Sequence, residues 1–412
     1  MRLWIFNHYA ETPEGSATRT FELAKGLARR SHDITIFACS FSHYRLREER
    51  FEKPWQLFKT EDLQGVRFIW LHGFGYRKND WRRVLNMLGF GLLAVIRGIT
   101  ATPKPQVIIG CSVHPCAALA ALLIARLRGA RFLVEVTDLW PQVLIDFGRI
   151  REWGLTARML RFIEKLLYNQ AAKIIMLWRN TDSYVRSRGI PVDKLVWIPH
   201  VVDPTACPAY RLQPQEQRQR TFKVMYLGSF VQSTALDVIL DAALILSRTE
   251  RELIRIILVG GGVDRNRIIA RAQALGLKNV EIRGPVPKRQ VMEVMEEADC
   301  FVCCIKRSPV YKYGLSMNKL CDYLMSGKPI VFSGDSAYDP VAEAGAGISV
   351  SGEDPAALAT AIIQMFSLSL VQRQEMGRRG LEWVRKYHHV DVLTDRLEAV
   401  VTSSPAPEGS AA

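Results

Sequence analysis

The chain has 412 residues, and its content of 48% apolar and 23% charged residues is typical of a folded globular protein with two or three domains. This composition excludes wholesale disorder and collagen-like structure. The 55 Lys and Arg residues exceed the 41 Asp and Glu residues by 14, so part of the surface is strongly basic.

The first half of the chain alternates between apolar, β-branched strands and amphipathic helices. Strand patterns occur at 2–7, 33–38, 66–71, 107–110, 132–136 and 173–177. Helical patterns occur at 16–30, 117–128 and 155–171. This alternation predicts right-handed crossovers and a parallel sheet covered by helices on both faces.

The same alternation restarts in the second half. Strand patterns occur at 223–227, 254–259, 280–283, 300–305 and 329–332, and helical patterns at 235–246, 266–275, 290–297, 318–325, 356–368 and 372–386. The sequence therefore predicts an α/β protein with two Rossmann-like, doubly wound domains. We expect them to face each other across a cleft at the carboxyl ends of their strands.

The boundaries follow from composition. We place the first domain at 1–200, a polar linker at 201–221 and the second domain at 222–385. A C-terminal helix at 386–402 is expected to pack back on the first domain, and the Pro-, Ser- and Ala-rich tail at 403–412 is expected to be disordered.

Almost all of the net positive charge belongs to the first half of the chain. Residues 1–200 contain 30 Lys and Arg and 17 Asp and Glu, a balance of +13, which leaves +1 for residues 201–412. A basic domain beside a neutral one predicts an anionic partner, either phospholipid or nucleic acid. The alternative is a solvated basic surface without a partner.

The sequence contains no apolar run of 18 residues, and the longest candidate, 87–96, is too short to cross a bilayer. The amino terminus has a strand pattern rather than a signal peptide, so we expect a cytoplasmic protein. The basic and aromatic stretch at 76–90 resembles a helix that lies on a membrane surface, with Arg77, Lys78, Trp81, Arg82 and Arg83 as its contacts. The alternative is a helix that packs its apolar side inward.

Three segments contain candidate site residues. Gly15 lies in a turn that opens a helix, where backbone N–H groups can bind an anion, although a plain tight turn fits equally well. Glu135 and Asp138 follow a strand and could orient an acceptor hydroxyl, or Asp138 could cap a helix. No metal site is expected, because the cysteines at 300–304 lack a second ligand pair.

The densest group of polar residues lies at 311–330. Asn318, Lys319 and Asp322 share one helix start, and Gly314 to Ser316 would present backbone donors before it. Such a set suits a diphosphate and a ribose, because amides and an ammonium bind phosphate oxygens and a carboxylate accepts from hydroxyls. The alternative is a surface ion pair between Lys319 and Asp322.

Seven segments, in chain order, resemble glycosyltransferase family 4, the retaining enzymes with the GT-B fold, and most of all its bacterial O-antigen and surface-polysaccharide branch. They are the strand–Gly15–helix opening, Arg30-Ser-His-Asp-Ile34, Glu135-Val-Thr-Asp-Leu-Trp-Pro141, Ile198-Pro-His-Val-Val-Asp203, Val259-Gly-Gly-Gly262, Val280-Glu-Ile-Arg-Gly284 and Ser316-Met-Asn-Lys-Leu-Cys-Asp322 with Gly327-Lys-Pro329.

The resemblance implies that the second domain holds a nucleotide-sugar donor, usually a UDP-sugar, and the first an acceptor. By position, Val286 and Pro287 would border the base, and Asp322 would accept from the ribose. Amides around Gly314, Leu315 and Ser316, together with Gly15, would bind the diphosphate beside Asn318 and Lys319. Asp138 and Lys319 would be the catalytic residues, with Glu135 near the acceptor. The resemblance implies no cofactor and no metal.

Two departures from the family pattern concern the donor. The turn 227–235 lacks the Arg and Lys that usually clamp the phosphates, a loss of about 1.5–3 kcal/mol for each charge-assisted bond. Lys319 is the best replacement, followed by Lys312 or Arg307. Of the family's two acidic residues, the first falls on Gly314 and only Asp322 remains.

The sequence therefore predicts a retaining transferase that moves a hexose or an N-acetylated amino sugar from a UDP-sugar to a polyprenyl-diphosphate-linked saccharide at the anionic inner face of the cytoplasmic membrane. One alternative is a UDP-sugar epimerase of the same fold. The other is a non-enzymatic protein whose basic half binds membrane or nucleic acid, although no nucleic-acid motif supports a nucleic-acid partner.

Overall fold

The computed structural model describes residues 1–15, 17–53, 55–78, 80–202, 221–248 and 253–403. Most of the predicted linker (201–221) and tail (403–412) lies outside these residues, as does Asp203 of the motif at 198–203. Internal contacts divide the chain into two compact units, Met1–Val201 with Val390–Ala412, and Val202–His389.

The first unit is built on an eight-stranded sheet and a small hairpin. Its strands are β1 (Arg2–Phe6), β2 (Asp33–Cys39), β3 (Phe41–Ser42), β4 (Arg47–Glu48), β5 (Phe58–Leu63), β6 (Val66–Leu71), β7 (Val107–Cys111), β8 (Arg131–Val136), β9 (Lys173–Met176) and β10 (Leu195–Trp197). The sheet order is β10-β9-β8-β7-β1-β2-β6-β5, with β3 and β4 forming the hairpin.

The predicted parallel sheet needs one correction. The edge strand β5 runs antiparallel to β6, whereas all other neighbours in this sheet are parallel. The sequence of β5, Phe-Lys-Thr-Glu-Asp-Leu, is mostly polar because an edge strand is half exposed. A prediction of strands from apolar runs therefore does not find it.

The helices of the first unit lie on both faces of its sheet. They are α1 (Arg19–Arg29), α2 (Trp81–Thr100), α3 (Pro115–Arg128), α4 (Gln142–Asp146), α5 (Leu155–Gln170) and α6 (Asp182–Ser187). Asp80 begins α2 by accepting a hydrogen bond from the Arg82 amide, and Gly129 ends α3 with a φ of 62°.

The second unit contains a six-stranded, wholly parallel sheet of order β13-β12-β11-β14-β15-β16. The strands are β11 (Phe222–Leu227), β12 (Ile254–Val259), β13 (Val280–Arg283), β14 (Cys300–Cys304), β15 (Ile330–Ser333) and β16 (Gly347–Val350). The helices are α7 (Leu236–Ser247), α8 (Arg265–Ala274), α9 (Lys288–Glu296), α10 (Asn318–Met325), α11 (Pro340–Ala344), α12 (Pro355–Ser367) and α13 (Leu370–His388). Two doubly wound parallel sheets confirm the predicted fold class.

The last helix, α14 (Val390–Thr402), belongs to the first unit and packs on α1. It starts four residues later than the predicted helix at 386–402, because α13 continues to His388. Leu393, Leu397, Val400 and Val401 are buried in the same apolar core as Phe21 and other residues of α1. Arg131 then donates hydrogen bonds to the carbonyl oxygens of Val400 and Val401 at the end of α14.

The expectation that no segment is long and apolar enough to cross a membrane is wrong for α2. This helix has 20 residues and a mean hydropathy of 1.4 over its most apolar window, of which 28% is buried. Among the described residues, α12 and α13 pass the same test only as a pair, which is bent by 112°. Length and composition alone do not distinguish a spanning helix from one packed on a domain.

Candidate functional site

The carboxyl edge of the second sheet is formed by two turns that lie directly against each other. Gly260, after β12, has no room for a side chain, because a Cβ atom there would overlap the carbonyl oxygen of Gly228, after β11. The amide of Phe230 donates to the carbonyl of Gly261 at 2.7 Å, which joins the two turns. The motif at 259–262 therefore permits close backbone packing at the strand ends, where open α/β sheets bind ligands.

Lys319, in the first turn of α10, extends to the turn after β11. Its ammonium donates to the Tyr226 hydroxyl at 2.6 Å and lies 4.6 Å from the centre of the Tyr226 ring. A Cβ atom on Gly228 would lie 3.1 Å from the Lys319 Nζ atom. The structure thus brings the Lys319 ammonium to the turn 227–235, which contains no Lys or Arg of its own. The sequence predicted Lys319 as the replacement for these missing cations.

The environment of Lys319 is largely closed to water. Desolvation lowers the pKa of this ammonium, while the neighbouring Cys303 and Cys304 thiols act in the opposite direction. A poorly hydrated ammonium gains more from an arriving anion than a solvated one, because less of its charge is already screened.

The segment before α10 matches the predicted set of backbone donors only in part, because the Gly314 amide already donates to the Tyr311 carbonyl at 3.0 Å. Gly314 has a φ of 99°, a conformation that favours glycine, and the following Leu315 is buried. Met317 is the residue before α10, and its side chain does not cap the amides at the start of the helix. An uncapped helix start with a lysine in its first turn is suited to an anion. Ser316 is half-buried and Asn318 is exposed in this segment.

Asp322 lies one turn further along α10 and does not pair with Lys319, whose ammonium bonds to Tyr226 instead. The alternative of a surface Lys–Asp pair is therefore not what the structure shows. Burial raises the pKa of Asp322 to about 6, against the opposing effect of the Lys288 ammonium. Such a carboxyl is poorly hydrated and suited to accept from ligand hydroxyls.

The remaining predicted donor contacts lie at the same sheet edge. Val286 is half-buried in the loop after β13, and Pro287 is exposed where α9 begins. The two other cations proposed as replacements, Arg307 and Lys312, do not reach this turn. Arg307 forms a 2.8 Å ion pair with Asp335, and Lys312 is exposed beside the Tyr313 ring. Of the three cations considered, Lys319 alone reaches the turn at Gly228.

Glu135, at the end of β8 in the first unit, does not have the predicted environment. It is buried and forms a 2.5 Å ion pair with Arg19. Its other carboxylate oxygen accepts from the Cys111 thiol at 3.3 Å. Arg19 also donates to the carbonyls of Ile198 and Pro199 at 2.7 and 2.9 Å. Because its carboxylate is occupied inside the fold, Glu135 is a structural residue rather than an acceptor contact.

Asp138, three residues further on, is exposed after β8. It lines a shallow depression that is also lined by residues of α5, among them Glu164 and Tyr168. Desolvation by the surrounding protein raises the pKa of Asp138. A raised pKa favours proton sharing with an incoming hydroxyl, so the geometry is compatible with the predicted acceptor role.

The turn at Gly15 already holds an anion from the chain itself. The Glu11 carboxylate accepts from the Ala17 amide at 3.1 Å and from the Ser42 hydroxyl at 3.0 Å. A Cβ atom on Gly15 would overlap the Glu11 side chain, so this glycine is required for packing. The neighbouring Ser16 lies outside the described residues. This arrangement favours the plain tight turn over a phosphate site.

A small pocket in the first unit contains residues that the sequence did not single out. Its lining includes His8, Tyr9 and Glu11, which follow β1, and His43 and Tyr44, which lie between β3 and β4 of the hairpin. Burial and Arg83 lower the pKa of His43 to about 4, so this ring is neutral near pH 7. Isolated histidines and tyrosines give no pattern in a sequence, and only the sheet order brings them together.

The basic stretch before and within α2 divides into two environments. Arg77, Lys78, Trp81 and Arg82 are exposed. Arg83 instead turns toward the pocket and donates to the Tyr9 hydroxyl at 3.1 Å through Nη2. Arg83 is therefore half-buried and bonded to a residue that lines the pocket, and it differs in this from the exposed residues of the predicted surface patch.

Two family models match the chain in succession, one in each unit. The glycosyl transferase 4-like domain matches residues 14–200, and the model of glycosyl transferases group 1 matches residues 221–367. Together they cover most of the chain. No curated protein matches the sequence.

Solved structures share the fold over nearly the whole chain at low identity. Sucrose-phosphate synthase from Thermosynechococcus elongatus is 14% identical with a TM-score of 0.75, and the match covers 97% of this chain and 98% of that one. HepE from Anabaena in complex with UDP-glucose is 12% identical, with a TM-score of 0.67 and coverages of 98% and 100%. WaaG, a glycosyltransferase involved in lipopolysaccharide biosynthesis, is 14% identical, with a TM-score of 0.67 and coverages of 98% and 100%.

The two domains and their order define an enzyme, a glycosyltransferase with the GT-B fold. Both matched models describe glycosyl transferases, and the one over residues 14–200 is a glycosyl transferase 4-like domain, in line with the resemblance seen in the sequence. The non-enzymatic alternative is thereby excluded.

Proposed function

We propose that this glycosyltransferase transfers a hexose or an N-acetylated amino sugar from a UDP-sugar to a polyprenyl-diphosphate-linked saccharide, with retention of anomeric configuration. The reaction would take place in the cytoplasm, at the inner face of the cytoplasmic membrane, during assembly of an O-antigen or similar envelope polysaccharide. The second unit would hold the donor and the first unit the acceptor. UDP binding by HepE, whose fold is shared, supports a UDP-linked donor.

The observation that carries the proposal is the position of Lys319. Its ammonium lies beside the turn at Gly228 and at the uncapped start of α10, so one cation and several amides converge on one place. A diphosphate bound there would receive charge-assisted hydrogen bonds from the ammonium and the amides. Asp322, one turn away, would accept from the ribose hydroxyls.

In the proposed reaction the bond between the sugar C1 atom and the diphosphate oxygen breaks, and the acceptor hydroxyl forms a bond to C1 on the same face. The hydroxyl proton passes to the departing phosphate oxygen. Lys319 and the α10 amides would stabilise the charge on the leaving UDP, which is the contribution expected of fixed donors in a poorly hydrated site. No resident metal is needed for this charge compensation.

Asp138 would position the acceptor hydroxyl. It is exposed at the mouth of the depression beside α5, and desolvation raises its pKa. A carboxylate at the edge of such a depression can accept a hydrogen bond from an acceptor hydroxyl and so orient it. Asp138→Asn should therefore lower kcat while leaving UDP affinity unchanged.

The first experiment is thermal unfolding with UDP, GDP, ADP or no nucleotide. A ligand at 100 times its Kd stabilises the folded state by about 2.7 kcal/mol, which is a measurable shift. We expect a shift with UDP alone. A shift with GDP or ADP only would contradict the donor class, and the absence of any shift would contradict a nucleotide site at Lys319.

A second measurement separates transfer from the alternative of epimerisation. With a UDP-sugar and a polyprenyl-diphosphate saccharide, a transferase releases free UDP only when the acceptor is present. An epimerase would instead interconvert the UDP-sugar without acceptor and without releasing UDP. The second result would replace the proposed reaction by the alternative.

A further inference from the structure

The exposed large apolar side chains of this protein are unevenly distributed. Among the described residues, 12 of the 22 lie on α2, α3 and α5 of the first unit. The described part of the second unit has only three, Leu253, Val263 and Val371, which are far apart in sequence. On the described helices α1 and α14 there are none. Soluble proteins rarely concentrate exposed apolar residues in this way without a partner.

These three helices cover one face of the first sheet. They connect β6 to β7, β7 to β8 and β8 to β9, and all three connections run in the same direction across the sheet order. Right-handed crossovers in one direction place their helices on one face, and α1, which connects β1 to β2, runs in the other direction. The contacts agree, because α3 touches both α2 and α5 while α1 touches α14.

Helix α2 is apolar on two opposite sides. Its inner side buries Asn86, Phe90, Ala94 and Gly98. Its outer side exposes a ridge of large apolar residues at the spacing of one helical face, namely Trp81, Val84, Leu85, Leu88, Leu92, Ile96 and Ile99. The buried side packs α2 on its own unit, and the ridge faces away from that unit.

The neighbouring helices extend this ridge into a continuous surface. Leu123 and Leu127 are exposed on α3, and Leu155, Met159 and Phe162 are exposed on α5, each set at the spacing of one helical face. Leu155 and Phe162 expose 82% and 69% of their surface. We refer to the exposed apolar residues of α2, α3 and α5 as the apolar helix face.

The charges on these helices have almost one sign. The three helices contain eight cations, Arg82, Arg83, Arg97, Arg126, Arg128, Arg158, Arg161 and Lys165. They contain a single acidic residue, Glu164, which is buried. Arg82, Arg126, Arg158 and Lys165 are exposed among the apolar side chains, and Arg161 pairs with Glu152 outside the helices. The face therefore combines apolar side chains with a rim of positive charge.

We infer that the apolar helix face lies in the boundary between headgroups and acyl chains of an anionic bilayer. Apolar residues with interspersed cations and no exposed acids suit such a surface, since the side chains enter the acyl region and the cations meet lipid phosphates. A second copy of this chain fits less well, because a self-complementary interface would bring the cations together. The inference rests on the proposed function only in that a lipid-linked acceptor requires a nearby membrane.

The inference also relates the membrane to the acceptor. The depression at Asp138 is walled by Leu160, Ile163 and Leu167 of α5, the same helix that exposes Met159 and Phe162. A lipid carrier embedded at the outer side of α5 would therefore have its polar end close to the depression that Asp138 lines. The inferred membrane contact differs from the one predicted for the basic stretch at 77–83, because it is made mainly by apolar side chains and involves three helices.

The test is flotation of the full-length protein with vesicles of phosphatidylglycerol and phosphatidylethanolamine. The variant Leu88→Glu/Leu92→Glu places two carboxylates on the ridge, and Leu253→Glu/Val371→Glu is the matched control at exposed apolar positions of the second unit. We expect the ridge variant to lose roughly tenfold or more in partitioning for each leucine. The control should float like the original protein.

High salt distinguishes insertion from charge attraction alone. At 1 M NaCl the screening length is about 3 Å, so purely electrostatic binding is lost while apolar insertion leaves a bound fraction. Complete release of the original protein, together with no effect of the ridge variant, would overturn the inference. A dimer in light scattering that the ridge variant dissociates, without vesicle binding, would overturn it in favour of a second copy.

These outcomes are independent of the proposed reaction. UDP-induced stabilisation should be the same in the ridge variant and in the control, which also shows that both variants fold. Vesicle binding without acceptor-dependent UDP release would contradict the proposed function alone. Transfer to acceptor in detergent without any vesicle binding would contradict the apolar helix face alone.

Discussion

Lys319 brings a cation to a turn of the second unit that contains none of its own. The turn 227–235 contains no basic residue, yet the Lys319 ammonium reaches its backbone at Gly228. The Tyr226 hydroxyl, which accepts from Lys319, donates in turn to the Ser229 carbonyl at 2.6 Å. The lysine is thus held in place before any ligand arrives, which lowers the entropy lost on binding.

Lys319→Ala should weaken UDP binding and slow transfer. Loss of one charge-assisted hydrogen bond costs about 1.5–3 kcal/mol, or roughly 10- to 150-fold in affinity. Calorimetric titration with UDP checks the affinity, and Lys312→Ala is the control because Lys312 is exposed in the same segment. Full activity in the Lys319 variant would contradict the assignment.

The close contact between the turns after β11 and β12 can be tested by substituting Gly260. Gly260→Ala should destabilise the second unit by about 2–4 kcal/mol, because the new Cβ overlaps the Gly228 carbonyl at a φ of 149°. Gly284→Ala is the control, since nothing lies within 4 Å of a Cβ atom there and its φ is not positive. Urea unfolding measures both, and equal stability of the two variants would show that the turns can separate at little cost.

The packing of α14 on α1 depends on one glycine. A Cβ atom on Gly26 would overlap the side chain of Thr394, which is fully buried. The contact is flanked by ion pairs from Arg30 to Asp395 and Glu398, at 2.5 and 2.6 Å. The stretch 30–34, which resembles the family, therefore helps to join the first and last helices of this unit.

Gly26→Ala should destabilise the first unit by about 1–3 kcal/mol, although alanine is by itself the better helix former. The double variant Gly26→Ala/Thr394→Ala should recover most of this loss, because the overlapping methyl and hydroxyl groups are removed. Chemical denaturation of the single and double variants measures the coupling. Strict additivity would mean that the two residues do not interact.

The regular elements could be predicted because most strands are apolar runs, but contacts distant in sequence could not. Lys319 was identified because it shares a short segment with Asn318 and Asp322. The role of Glu135 was missed because its partner Arg19 lies 116 residues away. The pocket at Tyr9 and His43 forms because the β3–β4 hairpin brings His43 against the segment after β1, a contact that no local pattern specifies. The edge strand β5 was missed because an exposed strand needs few apolar residues.

Buried histidines should make the stability of the first unit depend on pH. In the first unit, burial and Arg83 lower the pKa of His114 to about 3, and burial also lowers that of His8. An unfolded chain binds protons at these rings below about pH 6.5 and the folded unit does not, so stability present at neutral pH falls as the pH decreases. Burial raises the pKa of Glu164 to about 7, so this group acts in the opposite direction in the same unit.

His114→Phe isolates the histidine contribution. Between pH 6 and 4 the unfolding free energy of the original protein should fall faster than that of the variant, by about 1.4 kcal/mol per pH unit. Glu164 is present in both proteins and cancels in the difference. Urea midpoints at several pH values provide the measurement, with His389→Gln in the second unit as control. Parallel curves would show that His114 titrates alike in both states.

Because α14 comes last in the chain, the first unit is completed last during synthesis. The ribosome adds about 5–20 residues per second, so roughly 10–40 s pass between the end of the first 201 residues and the release of α14. Throughout that interval α1 lacks the helix that packs on it, and the core around Phe21 lacks the apolar side chains that α14 supplies. The nascent chain therefore leaves apolar surface of α1 exposed to water until Val390–Thr402 has emerged.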